Sequence, residues 1–166
     1  IAPQCGGYTL EAELGIIRNG FAEPDFYGWE VKNFGVKNFE KLKSSIVTLF
    51  TPEPTDGLYK SKGVEFFIRK YGYPDKNGKP DRLNFGGIHK VNKRHPETKL
   101  RLQLIGFDIE SNRIRNTNGK IALVDDFGNE AASWSFASLL LHWTRKHNQA
   151  CYVPSIANKI DDINYK

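Results

Sequence analysis

Two extended runs, KLRLQLIGFDIE (99–110) and GKIALVDDF (119–127), stand on either side of Asn116-Thr117-Asn118-Gly119. An Asn-Gly step favours the left-handed backbone of a tight hairpin turn, so the segment predicts an antiparallel strand pair. Such a pair must cover its apolar face, and the rest of the chain has to supply the cover. KSKGVEFFIRKYGY (60–73) reads as a helix burying Val64, Phe67, Ile68 and Tyr71 and closed by Gly72. SWSFASLLLHWTRKH (133–147) reads as the longest helix, with Trp134, Ala137, Leu140, Leu141 and Thr144 along one side.

Three further segments have strand or helix character. SSIVTLFT (44–51) is β-branched and bounded by turn formers, and ACYVP (150–154) is a short apolar run, so both predict buried strands. GGYTLEAELGII (6–17) predicts a short helix with Thr9 as N-cap and Leu10, Leu14 and Ile17 on one side. Residues two apart on a helix are separated by about 200°, so Glu11 and Glu13 face different ways. RNGFAEPD (18–25) is a breaker-rich connection, and 74–96 is a polar, basic loop rich in glycine and proline. The pattern predicts a mixed α/β (α+β) fold, helices packed on a mostly β centre, in one domain over residues 1–166.

Composition narrows the class. Apolar residues make up 39% and aromatics 13% of 166 residues, which suits a chain that buries a core. Lys and Arg number 24 against 19 Asp and Glu, a net charge of +5 that fits an anionic partner such as nucleic acid. Cys5 and Cys151 form no CxxC pair and predict small core or near-core residues in a reduced, cytoplasmic protein. No apolar run approaches the ~20 residues of a membrane span, and no signal-peptide pattern is present. Without HxxxH or Cys/His spacing, the four histidines disfavour an HNH-type nuclease; His142 reads as packed and His147 as complementing a helix dipole.

The chemistry concentrates in EPDFYGWEVK (23–32). FYGWEVKNF (26–34) alternates as a strand does, so Glu30 and Lys32 share one face while Trp29 and Val31 take the core side. Asp25 follows Pro24 just before that strand. Its carboxylate can meet that of Glu30 on one divalent cation if the chain reverses or bulges at Gly28. Hard oxygen ligands of this kind suit Mg²⁺, and Lys32 would sit beside the scissile phosphate. A charged, exposed strand face is the plain alternative for the same three residues. Asp108, Asp125 and Asp126 lie around the hairpin without a lysine placed to make a second such site, and predict pairing with basic neighbours.

The order GGYTLEAELGI, then EPDFYGWEVK, resembles the opening of the MvaI/BcnI family of type II restriction endonucleases. That family is related to the MutH-like branch of the PD-(D/E)XK nucleases. The matching elements are Thr9-Leu10-Glu11, Pro24-Asp25 and Glu30-Val31-Lys32; FFIRKYGY, DRLNFGG and LLLHW...KHNQACYVP also look like family segments. The resemblance implies a PD-(D/E)XK restriction-endonuclease-like core, a central mixed β-sheet flanked by helices. It implies that Asp25, Glu30 and Val31 hold Mg²⁺, that Lys32 is the catalytic lysine, and that Glu11 supports the site.

On this reading the partner is double-stranded DNA and the activity is site-specific phosphodiester hydrolysis within a restriction-modification system. A monomer is compatible with it. Arg69, Lys70, Arg82, Asn84, His89, Lys90, Lys93 and Arg94 are the candidates for phosphate and base contacts. Family members usually continue beyond a strand like ACYVP, so truncation at the C-terminus is expected. The start at Ile1 and the lack of methionine fit a fragment. The competing readings are a catalytically silent DNA-binding module of the same fold and an interaction domain with no nucleic-acid role.

Overall fold

A computed structural model describes residues 5–17, 23–43 and 46–158. In chain order the elements are α1 (Cys5–Glu13), β1 (Glu30–Gly35), α2 (Leu58–Tyr71), β2 (Tyr73–Pro74), β3 (Leu83–Asn84), β4 (Arg101–Ile105), β5 (Phe107–Asp108), β6 (Arg113–Ile114), β7 (Lys120–Val124), β8 (Glu130–Ser135), α3 (Phe136–His147) and β9 (Ala150–Ser155). Among the described residues the strands form four separate small sheets, β1–β9 parallel and the other three antiparallel, which with three helices make a mixed α+β arrangement. The chain divides into two compact units, Ile1–Thr51 with Leu141–Lys166, and Pro52–Leu140. No helix among the described residues is long and apolar enough to cross a membrane.

In the second unit, β4, β7 and β8 form an antiparallel sheet with β7 in the middle. The expected pairing is present, with Leu102 opposite Leu123 and Ile105 opposite Lys120. The Asn-Gly step does not close it as a two-residue turn, because the small β5–β6 hairpin is inserted between the two runs. Leu100, Leu123, Ala131 and Ala132 from the sheet region meet Phe67 and Tyr71 of α2 in the core, with Tyr59, Ile68, Phe85 and Trp134 packed around them. Trp134 is thus a strand residue, and its indole N–H donates to the Pro52 carbonyl at 2.8 Å.

α2 departs from the expected face at one point. Gly63 has φ 86° and breaks the helix into two pieces, which turns Val64 outward to 56% exposure. Phe67 and Tyr71 are buried as expected, and Gly72 ends the helix, its N–H donating to the Ile68 carbonyl at 2.8 Å.

In the first unit, β1 and β9 pair in parallel, Glu30 opposite Ala150 and Lys32 opposite Tyr152. α1 lies on β1, and Gly6 approaches the Asn33 and Ser155 side chains. The helix already includes Cys5, so Thr9 is inside it rather than capping it; its hydroxyl donates to the Cys5 carbonyl. Ile17, expected on the buried side, is exposed.

Other expectations fail for one shared reason: apolar runs mark segments that can be buried without saying which side is covered. Residues 46–51 form no strand, and Ile46 and Leu49 are exposed; Ser44 and Ser45 lie outside the described residues. Arg18 to Ala22 of the breaker-rich connection lie outside them too. β9 is a strand, but Cys151 and Tyr152 are exposed on it, which removes Cys151 from the core; Cys5 is half-buried. α3 is shorter than α2, and its expected apolar side is the outer one, since Leu140, Leu141 and Thr144 are exposed. Its covered residues include Phe136, Leu139, His142, Lys146 and His147.

Candidate metal and phosphate site

The chain reverses just before β1. Phe26 and Trp29 exchange backbone hydrogen bonds at 2.9 and 2.8 Å around Tyr27 and Gly28, which have φ 48° and 83°. Two successive left-handed residues are the signature of a tight hairpin turn, and they bring Asp25 back alongside the start of the strand. Asp25 Oδ2 accepts the Val31 N–H at 3.2 Å. In an extended strand the N–H and C=O of one residue point to the same edge. The Val31 carbonyl therefore leaves β1 on the edge where Asp25 stands.

Trp29 does not anchor the strand in a core; it is 44% exposed, and Val31 is only half-buried. Tyr27, at the tip of the turn, is 90% exposed and carries strain that Asn or Gly would avoid. Tyr27→Asn is expected to raise the stability of the chain by roughly 0.5–1 kcal/mol. Chemical denaturation with an unchanged slope would measure it, and a clear loss would mean that the ring's packing on Phe26 outweighs the strain.

Glu30 is fully buried. Its Oε1 is 2.5 Å from Lys32 Nζ and 3.2 Å from Lys146 Nζ, while its Oε2 is buried with no protein partner. Lys32 and Lys146 keep 21% and 23% of their side chains exposed. Burial alone pushes the Glu30 carboxyl up, but the ammonium groups of Lys32 and then Lys146 outweigh it, and Glu30 lies below the usual range. Asp25 lies above its usual range because burial and the nearby Glu30 charge outweigh the Val31 N–H bond and the Lys146 charge. A groove of about 410 Å³ lined by Leu14, Ile16, Asp25, Phe26 and Tyr27 opens beside this carboxyl.

Asp25, Glu30, Val31 and Lys32 are therefore brought together on one turn and one strand. Glu11 is half-buried on α1; among the described residues its side chain forms no ion pair, and its carbonyl accepts the Ile16 N–H. Lys146 was not singled out by sequence reasoning. It sits four residues before Ala150, the residue that β9 sets opposite Glu30, and no local motif marks it. The next residue fixes its backbone: His147 is buried rather than merely dipole-complementing, its Nε2 is 2.9 Å from the Leu49 carbonyl, and its ring stacks on Trp143.

The eight basic and polar candidates all belong to the second unit. Arg69 pairs with Glu65, Arg82 with Asp75 at 3.6 Å, and Asn84 donates to Asp75 at 3.0 Å. Lys70 lies 5.1 Å from the Tyr71 ring centroid. His89 sits between the Phe85 and His95 rings, 2.8 Å from the Thr98 hydroxyl. Arg94 and Arg101 both grip Asp126, and Arg115 grips Asp108, as expected of these acids. Asp125 instead caps its own turn and accepts from Tyr71. Lys90 and Lys93 are exposed and form no ion pair among the described residues.

No group of three or more His, Cys, Asp or Glu capable of holding a metal occurs among the described residues. Two carboxylates and a strand carbonyl leave most of a cation's shell to water and phosphate, the arrangement that Mg²⁺ favours. The buried Glu30 Oε2, with no donor to satisfy it, fits a hard cation as its missing partner.

Comparison with known proteins matches residues 4–166 to the model of the MvaI/BcnI restriction endonuclease family. A solved structure described as "Restriction endonuclease MvaI-cognate DNA substrate complex" is similar at 20% identity and TM-score 0.66, covering 96% of this chain and 59% of that one. The chain thus spans less than two thirds of the length of that relative. No curated protein matches it significantly. The fold is that of a restriction endonuclease, in agreement with a PD-(D/E)XK-like core.

Proposed function

This chain belongs to the MvaI/BcnI restriction endonuclease family, and from that premise we propose that it is a Mg²⁺-dependent, site-specific endonuclease acting on double-stranded DNA. The observation that carries the reading is the buried Glu30, with one oxygen on two lysines and the other without a protein partner, beside Asp25. Asp25, Glu30 and the Val31 carbonyl would hold the cation. When bound, Mg²⁺ would supply an activated water and neutralise charge on the phosphate.

The chain's own residues do the rest. Asp25 is fixed by the Val31 N–H, which leaves its second oxygen available to the cation beside Glu30. Lys32, on the same strand face as Glu30 and partly open to solvent, can offer N–H donors to a phosphate oxygen as charge develops there. Glu11, on the helix that lies on β1, would support the site as in the MutH-like branch.

Double-stranded DNA as partner is supported by the net charge of +5 and by the neighbouring MvaI structure, which is a complex with its cognate DNA substrate. Lys90 and Lys93, without ion pairs among the described residues, are the readiest phosphate contacts. Arg69, Arg82, Asn84, His89 and Arg94 would have to exchange partners that they already hold, and Lys70 would have to leave the Tyr71 ring. A cytoplasmic place in a restriction-modification system follows from the same reading.

The test is incubation of phage and supercoiled DNA with the chain in Mg²⁺ and in EDTA. Discrete fragments or nicked circles in Mg²⁺ alone are expected. Salt-dependent binding with intact DNA in both conditions would instead make the chain a silent DNA-binding module.

A further inference from the structure

We propose that Lys146 is a second lysine of this site, a positioning residue that holds Glu30 Oε1 so that Lys32 can serve the phosphate and Oε2 can serve the cation. The inference rests on the nuclease reading and goes beyond it, because it assigns a role to a residue outside the PD and ExK segments.

A fully buried carboxylate needs a partner at every stage of a reaction. If Lys32 is Glu30's sole partner, it cannot swing toward a phosphate without leaving that carboxylate uncompensated. The structure provides a second ammonium from a different element, on the same oxygen. Both lysines meet Oε1 and neither meets Oε2, so one carboxylate oxygen is secured by the protein while the other is left buried and unbonded.

Lys146 is built to stay in place. It lies in the last turn of α3, next to the buried His147 that is tied to the Leu49 carbonyl, and just ahead of the strand whose register sets Ala150 opposite Glu30. Lys32 is held by its strand pairing opposite Tyr152 and by Asn33's bonds to β9. What sets Lys146 apart is that it reaches the same Glu30 oxygen from a separate element, outside the strand that carries both Glu30 and Lys32. The division of labour follows: Lys146 fixes the ligand, Lys32 meets the substrate. Residues that orient a metal ligand typically change cation affinity or activity by 10–100-fold when removed.

The experiment compares wild type, Lys146→Met and Lys146→Arg by calorimetric titration with Mn²⁺, duplex affinity without metal, single-turnover cleavage at saturating Mg²⁺, and thermal melting. Lys146→Met is expected to weaken Mn²⁺ binding roughly 10–100-fold and slow cleavage, with duplex affinity within about twofold of wild type. Lys146→Arg, which keeps charge and donors, is expected to recover most of both losses. Lys146→Gln replaces the methionine variant if that chain fails to melt cooperatively.

Mn²⁺ binding by Lys146→Met as tight as wild type, or an arginine variant no better than methionine, overturns the proposal. A duplex affinity that falls and loses about one unit of salt slope also overturns it, by making Lys146 a phosphate contact. Wild type that binds Mn²⁺ but cuts no DNA sinks the nuclease reading alone, and the variants still decide this one. Wild type that binds no Mn²⁺ sinks both.

Discussion

Asp25→Asn is expected to lower Mg²⁺-dependent DNA cleavage by about 10³-fold or more while leaving the chain at least as stable to heat as the wild type. Loss of a ligand that supports several kcal/mol of charge stabilisation accounts for the first effect, at about 1.4 kcal/mol per tenfold in rate. The second follows from the sign of the Asp25 shift. Burial, reinforced by the Glu30 charge, raises its carboxyl above the usual range. A carboxyl raised on folding binds its proton more tightly in the native state, so its ionised form costs stability at neutral pH, and the cost disappears as pH falls through the raised value.

Asparagine removes that charge and keeps an oxygen for the Val31 N–H. Glu30 is shifted the opposite way, so its contribution is present at neutral pH and lost in acid. Melting temperatures of Asp25→Asn and wild type from neutral pH down into the acid range, beside cleavage rates, check both halves. The stability gap between them should narrow in acid. Cleavage within tenfold of wild type, or an Asp25→Asn chain that melts much lower at neutral pH, would show that Asp25 is structural.

Phe67→Ala is expected to cost about 3–5 kcal/mol, the largest single loss of stability in the Pro52–Leu140 unit. Phe67 is 3% exposed and its ring meets those of Phe85, Tyr59 and Tyr71 at 4.7, 5.4 and 5.5 Å between centroids. Removing it vacates the junction between α2 and the sheet residues Leu123, Ala131 and Ala132, and the surrounding rings cannot all close in without leaving their rotamers. Denaturant unfolding measures the loss. A cost below about 1 kcal/mol would mean that the cluster relaxes into the void and is not the packed centre described.

The site was legible in the sequence to the extent that it depends on short-range geometry. A strand alternates with period two, so the common face of Glu30 and Lys32 could be read from EVK, and the 2.5 Å contact bears it out. The reversal at Gly28 was readable as a condition for Asp25 to reach Glu30, and the Tyr27-Gly28 turn meets it. Burial was much less legible. Trp29 and Val64 look like core residues in any pattern, yet a tight turn exposes the first and the kink at Gly63 rotates the second outward.

α3 illustrates the same limit. Apolar residues recur on more than one of its sides, and the pattern pointed to the Leu140-Leu141 side, whereas the covered side is the one carrying His142, Lys146 and His147. Lys146 was out of reach for a different reason. It reaches Glu30 only because β9 pairs in parallel with β1, a long-range register that no local spacing encodes. The hairpin at β4 and β7 was foreseen from its alternation and its Asn-Gly step, but the inserted β5–β6 hairpin was not, since Phe107-Asp108 and Arg113-Ile114 are too short to show a period.

The most direct test of the central claim is the rate of Mg²⁺-dependent cleavage of supercoiled DNA by Lys32→Met beside wild type, with duplex affinity matched in the absence of metal. The account predicts that the variant folds and binds DNA, retains Glu30's contact with Lys146, and cuts at least about 10³-fold more slowly. A Lys32→Met chain that cuts DNA at the wild-type rate would contradict it, leaving the lysine of EVK as a partner of Glu30 and no part of the chemistry.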